Sequence, residues 1–248
     1  MSKKNAAFTL VELSIVIIII GLLVAGIVIG RSMIRSAELR SVIAESASYT
    51  QAIASFRDKY QALPGDFSNA SSVWSGVTNG NGDGLITQNV AAVRVDEQFL
   101  AWQQLAKAEM IKGSYTGTAG AAGVRDRMPG SNIPQAQLTN AGWGLISVTL
   151  ADIAGSYITI PYTAPDLPPN HVLWLGGRSV SGTVDSQAPV LTPSEALEID
   201  QKTDDSLPGS GKVIAQANGS TGTCSSSATA YNVSGSGNLC ALVFKTGF

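Results

Sequence analysis

The sequence predicts an α+β protein in which a long N-terminal helix packs on a C-terminal globular head with an antiparallel sheet. Three observations predict this fold class: an apolar run over residues 8–30, an apolar stripe at helical spacing that continues to residue 63, and scattered strand-like segments after it. The chain has 248 residues, of which 44% are hydrophobic and 14% are charged. That composition excludes an intrinsically disordered chain, which needs low hydrophobicity and high charge.

The apolar run predicts a membrane-spanning helix. Thr9, Glu12 and Ser14 are its only polar residues. As a helix, residues 8–30 would be roughly 34 Å long, which is enough to cross a bilayer core of about 30 Å. A cleaved secretory signal has a shorter apolar region, of roughly 7–15 residues, followed by a cleavage site with small residues. The run therefore favours a segment that stays in the membrane.

Glu12 is not explained by a plain membrane anchor. Inserting an acid at the bilayer centre costs on the order of 2.5–3.5 kcal/mol, so such a residue needs a partner. The next basic residue along the chain is Arg31. A helix that starts at Phe8 cannot bend its own terminus back onto Glu12, its fifth residue. We therefore expect an amine from a neighbouring copy, made by cleavage just upstream, to meet Glu12.

Residues 7–12, AFTLVE, followed by an aliphatic run, resemble the N-terminal signature of type IV pilins and type II secretion pseudopilins. The resemblance implies that residues 1–7 are a leader and that a prepilin peptidase cuts between Ala7 and Phe8 and N-methylates Phe8. It implies that Glu12 meets the Phe8 amine of a neighbour during assembly. The implied partners are the peptidase, other copies and other pilins, and an inner-membrane assembly platform.

The resemblance also implies where the protein resides. The precursor would cross the bacterial inner membrane once, with its head outside the cytoplasm, and would then enter a type IV pilus or a periplasmic pseudopilus. Two residues depart from the family pattern. Ala7 stands where glycine is usual, which predicts slower cleavage, and the proline that many major pilins carry near the position of Ile29 is missing. The missing proline favours a minor pilin or a pseudopilin, and the choice between pilus and pseudopilus stays open.

The helix is expected to continue beyond the membrane. One helix from Phe8 to Tyr60 would be roughly 80 Å long and would end at Pro64-Gly65. Residues 31–63 form its amphipathic half, which the resemblance implies is the spine of a head formed by residues 64–248. The apolar stripe consists of Leu39, Val42, Tyr49, Ile53, Phe56, Tyr60 and Leu63.

The head sequence predicts two further helices and several strands. A helix over 96–113 is expected to be capped by Asp96, and a capping box at Thr192-Pro193-Ser194-Glu195 opens a short helix to about Asp204. The predicted strands are 144–151, 156–162, 171–177, 212–217 and 240–246.

An Asn/Gly/Asp loop resembles the first half of an EF-hand calcium loop. Asn79, Asn81 and Asp83 place oxygen ligands at alternate positions, and the backbone carbonyl of Leu85 takes the seventh. The twelfth position holds valine where a glutamate belongs, so Glu97 is the candidate carboxylate from further along the chain. Weak binding of Ca2+, the one cofactor that the sequence suggests, is one interpretation. An ordinary Asn/Gly turn is the other.

Cys224 and Cys240 are the only cysteines, and they flank a loop rich in Ser, Gly and Thr. An even pair in an exported domain predicts one disulfide, and the resemblance extends to a C-terminal loop closed in this way. The spacing does not fit a redox-active CxxC pair.

The remaining function classes find little support. A net charge of −2 gives no positive excess for nucleic acid, so no nucleic-acid partner is predicted. The chain has neither a P-loop nor a GxSxG nucleophile elbow, and no enzyme activity is predicted. Two functions stay open: a structural subunit that polymerises through its N-terminal helix, and a membrane-anchored periplasmic binding or calcium-dependent module that does not polymerise.

Overall fold

The fold is organised around one long helix, α1, which runs from Leu10 to Tyr60. Its 51 residues confirm the predicted N-terminal helix. The helix ends before Pro64 because Gln61 takes a left-handed backbone conformation, with φ 53°, and donates its N–H to the Arg57 carbonyl. The computed structural model describes residues 9–87, 96–123, 126–148, 170–178, 188–217 and 224–247.

The two halves of α1 have different surroundings. The large apolar side chains from Leu10 to Ile34 are 49–84% exposed, so this half makes no packed contact with the head. The second half packs along the predicted stripe, which places its apolar face in the core of the head. The buried residues of α1 are Leu39, Val42, Ser46, Ala52, Ile53 and Phe56.

The described strands of the head are β1 (Gly142–Val148), β2 (Asn170–Gly176), β3 (Val213–Ala217), β4 (Ser225–Ser227), β5 (Ala230–Tyr231) and β6 (Cys240–Lys245). Four of them form an antiparallel sheet with strand order β1-β2-β6-β3, which confirms the α+β class. Strands β4 and β5 form a separate two-stranded hairpin that was not predicted. The strand predicted at 156–162 lies outside the described residues.

Three shorter helices complete the described elements: α2 (Ala70–Val73), α3 (Glu97–Lys107) and α4 (Pro193–Thr203). The predicted capping box opens α4, with Thr192 and Glu195 each bonded to the other's backbone N–H.

Helix α3 begins as predicted, with Asp96 at the N-cap position, but it ends earlier than predicted and lacks the expected side-chain cap. It stops six residues before Gly113 because Glu109 turns into the left-handed region, with φ 60°, and Met110 donates its N–H to the Leu105 carbonyl. The Asp96 side chain does not cap it, since that carboxylate accepts a bond from Gln98 Nε2 at 3.0 Å.

Aromatic contacts join α1, α3 and the sheet. Tyr49 on α1 makes edge contacts with Trp102 on α3 and Trp143 on β1, at ring-centroid distances of 5.2 and 5.8 Å. The Trp143 indole N–H also donates to Glu45 Oε2 on α1 at 2.7 Å. The second half of α1 is therefore fixed to the head by both apolar and polar contacts.

Both edges of the sheet are covered by loop backbone. Along β1, the N–H groups of Trp143 and Ser147 donate to the carbonyls of Pro134 and Ile86, at 2.9 Å each. Along β3, Ala215 donates to the Pro208 carbonyl at 2.9 Å. These bonds occupy edge backbone groups that could otherwise pair with another chain, and the Ile86 contact also fixes the Asn/Gly loop beside β1.

Candidate functional site

The start of α1 is closed by a capping box between Thr9 and Glu12. Glu12 Oε2 accepts the Thr9 backbone N–H at 2.9 Å and its hydroxyl at 2.8 Å, while the Glu12 N–H donates to Thr9 Oγ1 at 3.2 Å. Sequence reasoning missed these local partners, although the Thr-x-x-Glu spacing signals them. Both side-chain bonds of Glu12 use the same oxygen. Ala7 and Phe8, the predicted processing residues, lie outside the described residues.

The first half of α1 has the length and composition of a membrane span. Within the described part of the chain, α1 is the one helix that is long and apolar enough to cross a membrane. Its 18-residue apolar window has a mean hydropathy of 3.1. None of that window is buried. A core helix of a soluble head would bury such a segment, so this half of α1 is available to lipid or to other apolar helices.

The Asn/Gly loop is held by a buried carboxylate, Asp66, which is only 3% exposed. Its Oδ1 accepts the N–H groups of Gly82 and Asp83 at 2.6 and 3.0 Å, and its Oδ2 accepts that of Gly84 at 2.9 Å. Burial raises the pKa of the Asp66 carboxyl, and the three backbone bonds oppose that rise. The loop is therefore wrapped around a carboxylate that precedes it in sequence.

Glu97, in the first turn of α3, is a second carboxylate that accepts hydrogen bonds from the same loop. Its Oε1 accepts the Asn81 N–H at 3.0 Å, and its Oε2 accepts the N–H and hydroxyl of Thr87 at 2.9 and 2.5 Å. Glu97 is 6% exposed, so this contact is also shielded from water. Glu97, the predicted carboxylate ligand, therefore lies against the loop and binds its backbone.

Asp66, Asp83 and Glu97 each offer a carboxylate oxygen, and these oxygens lie within 4.8 Å of one another. Asp66 Oδ2 and Glu97 Oε1 each accept one N–H in the described contacts, which leaves each a second lone pair, so this donor set fits a hard cation such as Ca2+. Two members of the predicted set, Asp83 and Glu97, are brought together, and Asp66 is the member that sequence reasoning missed.

The other predicted ligands have different roles in the described contacts. The Asn79 side-chain oxygen accepts the Ser71 N–H at 2.7 Å, which directs it to helix α2. Asn81 Oδ1 accepts the Asp83 N–H at 2.9 Å, and the Leu85 N–H donates to Asp83 Oδ1 at 2.9 Å. These are Asx turns, which stabilise the loop by themselves.

The predicted disulfide between Cys224 and Cys240 is present, with the two Cα atoms 5.0 Å apart. Cys240 begins β6, and Cys224 directly precedes β4. The Cys240 carbonyl also accepts the N–H groups of Val190 and Leu191, at 3.0 and 3.1 Å. The bridge therefore joins the small hairpin to a central strand of the sheet.

A second group of carboxylates, Asp200, Asp204 and Asp205, lies at the C-terminal end of α4. Asp200 is fully buried, and its Oδ2 accepts the Tyr231 hydroxyl at 2.8 Å. Burial raises the pKa of Asp200 to about 6, and the nearby charges of Asp204 and Asp205 add to that rise. The loop backbone uses the other two acids, since Asp204 Oδ2 accepts the Val213 N–H at 3.1 Å and Asp205 Oδ1 accepts the Leu207 N–H at 2.8 Å.

The N-terminal segment matches a known protein family model. Residues 2–28 match the family model described as the prokaryotic N-terminal methylation motif. This segment is the signature of type IV pilins and pseudopilins, so the predicted resemblance is confirmed over these residues. The motif family is structural, and the motif implies processing by prepilin peptidase and assembly with other pilins. The motif and the apolar helix together fit a single-pass, membrane-anchored precursor. No curated protein and no solved structure matches the chain.

Proposed function

We propose that the chain is a structural subunit, a pilin or pseudopilin, that prepilin peptidase cuts between Ala7 and Phe8 and that assembles through α1. The observation that carries the proposal is that none of the apolar half of α1 is buried and that the methylation motif, residues 2–28, covers most of this half. A fully exposed apolar helix is stable only in lipid or against other apolar surfaces. The polymer provides the second of these environments.

Assembly then replaces lipid contacts by contacts between helices. Without a hydrophobic gain over lipid, packing and polar pairs drive such association. In the membrane, the two bonds from Thr9 satisfy Glu12 Oε2. In the filament, the Glu12 carboxylate gains the amine of a neighbour's Phe8, and the low dielectric of the helix bundle strengthens this pair.

The proposed partners are the peptidase, other copies of the chain, other pilins and an inner-membrane assembly platform. The head is proposed to lie outside the cytoplasm, and the Cys224–Cys240 disulfide supports this side because disulfides persist in oxidising compartments. The missing proline in an α1 that is helical from Leu10 to Tyr60 supports a minor pilin or a pseudopilin.

We also propose that the Asn/Gly loop binds Ca2+. The supporting observation is the convergence of Asp66, Asp83 and Glu97 within 4.8 Å. When bound, the cation would offset the repulsion among these carboxylates and hold the loop to α3. This proposal concerns the head only and is independent of polymerisation.

The assembly proposal is tested with Glu12→Ala in cells that hold the assembly machinery. We expect the variant to insert into the membrane normally and to be absent from filaments, because the neighbour's amine has no carboxylate to meet. Ser14→Ala is the matched control, since Ser14 is polar, lies in the same exposed segment and, among the described contacts, its hydroxyl donates to the Val11 carbonyl. Incorporation of Glu12→Ala at the level of Ser14→Ala would contradict the pairing.

A further inference from the structure

The Asn/Gly loop contains two Asn-Gly dipeptides in succession, Asn79-Gly80 and Asn81-Gly82. Asn-Gly is a reactive pair because glycine has no side chain to keep its backbone nitrogen from the preceding Asn Cγ. When that nitrogen attacks Cγ, a new C–N bond closes a succinimide ring. The bond from Cγ to the side-chain nitrogen breaks, and ammonia leaves with the proton lost by the glycine nitrogen. Water then opens the ring to aspartate or isoaspartate.

At Asn81 the attacking nitrogen is engaged by a charged group. The Gly82 N–H donates to Asp66 Oδ1 at 2.6 Å and to the Asp66 carbonyl at 3.1 Å. Loss of the Gly82 proton would create an anion beside this carboxylate, and like charges at that distance disfavour ionisation. The carboxylate therefore opposes the first step of the reaction.

The Asn81 side-chain amide, which contains the electrophilic carbon, is also engaged by two hydrogen bonds to Asp83. Asn81 Oδ1 accepts the Asp83 N–H at 2.9 Å, and Asn81 Nδ2 donates to Asp83 Oδ2 at 2.9 Å. Both bonds direct the amide toward the residue after Gly82. Ring closure requires that these bonds break and that the amide carbon turns toward the Gly82 nitrogen.

The neighbouring dipeptide has no charged acceptor on its glycine. The Gly80 N–H donates to the Phe67 carbonyl at 3.0 Å, and the Asn79 side chain accepts the Ser71 N–H at 2.7 Å. Removal of the Asp66 charge therefore affects the two dipeptides differently, although they lie in the same loop.

We propose that Asn81 is a site of spontaneous deamidation and that the Asp66 carboxylate slows this reaction in the folded head. The reaction would add a carboxylate beside Asp66, Asp83 and Glu97 and would permanently change the charge of the loop. When the contact between the Gly82 N–H and Asp66 stays broken, Asn81 can therefore be modified permanently. The inference depends only on the fold of the head and is independent of the proposed assembly.

The experiment uses the full chain in detergent with EDTA, so that no divalent cation holds the loop. Peptide-mapping mass spectrometry follows deamidation at Asn79 and Asn81 over time in the wild type, in Asp66→Asn and in urea-unfolded wild type. We expect Asn81 to react more slowly in the folded wild type than in urea. Asp66→Asn is expected to raise the Asn81 rate roughly tenfold, the effect of losing one hydrogen bond to a charged group, and to leave the Asn79 rate unchanged.

Asp200→Asn is the matched control, because it removes a buried carboxylate that has no described contact with the loop, and it should change neither rate. The proposal is overturned if folded wild-type Asn81 reacts as fast as in urea, or if Asp66→Asn leaves its rate unchanged. Equal acceleration of Asn79 and Asn81 in Asp66→Asn would also overturn it, because that result assigns the effect to loosening of the whole loop and not to the Asp66 charge.

Discussion

Arg35 on α1 and Glu195 in the first turn of α4 form a two-point ion pair, with Nε–Oε1 at 2.6 Å and Nη2–Oε2 at 3.0 Å. The same glutamate closes the capping box with Thr192. Arg35 follows the last exposed apolar residue of the membrane half, Ile34, and precedes the first buried residue of the stripe, Leu39. The pair therefore fixes the point at which α1 leaves the head.

Replacing Arg35 by methionine should lower the free energy of unfolding of the head by about 2 kcal/mol, because a partly buried bidentate pair is lost and Glu195 keeps an uncompensated charge. Denaturant unfolding of the full chain in detergent measures the change. Lys202→Met removes the exposed Lys202–Glu198 pair and should cost less than about 0.5 kcal/mol. Equal costs for the two variants would contradict a special role for the Arg35 contact.

The buried Asp200 should make the stability of the head depend on pH. Its pKa is raised to about 6 in the folded chain from 3.8, so between these values the folded state binds a proton that the unfolded state has released. Stability contributed by this group is therefore full below about pH 4 and falls as the pH rises toward 6, by about 1–3 kcal/mol. Asp200→Asn, which keeps an acceptor for the Tyr231 hydroxyl, should remove this fall. If Asp200→Asn keeps the wild-type pH profile, the pH dependence of the stability comes from other groups.

Calcium should stabilise the head if the carboxylates of the Asn/Gly loop bind it. At a concentration of ten times its dissociation constant, Ca2+ would add about 1.4 kcal/mol to the free energy of unfolding. Asp83→Asn should abolish most of this gain, and Asp205→Asn, in the other acidic group, should retain it. Thermal unfolding with Ca2+ and with EDTA gives the comparison. A wild-type melting temperature that does not respond to Ca2+ in the millimolar range would reject the site.

Much of the fold follows from local patterns in the sequence. The stripe from Leu39 to Phe56 predicted the buried face of α1 because helical spacing directly determines which side chains share a face. The capping box at Thr192 predicted the start of α4 for a similarly local reason. The end of α1 at Tyr60 was predicted as well, although Gln61 and not Pro64-Gly65 ends the helix. The end of α3 was less predictable, since Glu109 takes a left-handed conformation that usually marks glycine.

Contacts between distant parts of the chain were harder to predict. Asp66 precedes the Asn/Gly loop by a turn and the short helix α2, and only the folded loop brings its oxygens to three successive backbone N–H groups. No spacing rule encodes such a contact. The β4–β5 hairpin was missed because β4 consists of three serines and β5 of two residues, so neither shows the alternation of apolar and polar residues that marks a strand.

The proposed assembly depends on cleavage between Ala7 and Phe8 and on methylation of the new terminus. Mass spectrometry of the N-terminal peptide, from cells with and without an active prepilin peptidase, tests both steps. We predict a peptide that begins with methylated Phe8 when the peptidase is present, and one that retains residues 2–7 when it is absent. Retention of residues 2–7 in cells that process their other prepilins would contradict the proposed processing and would favour an anchored module that does not polymerise.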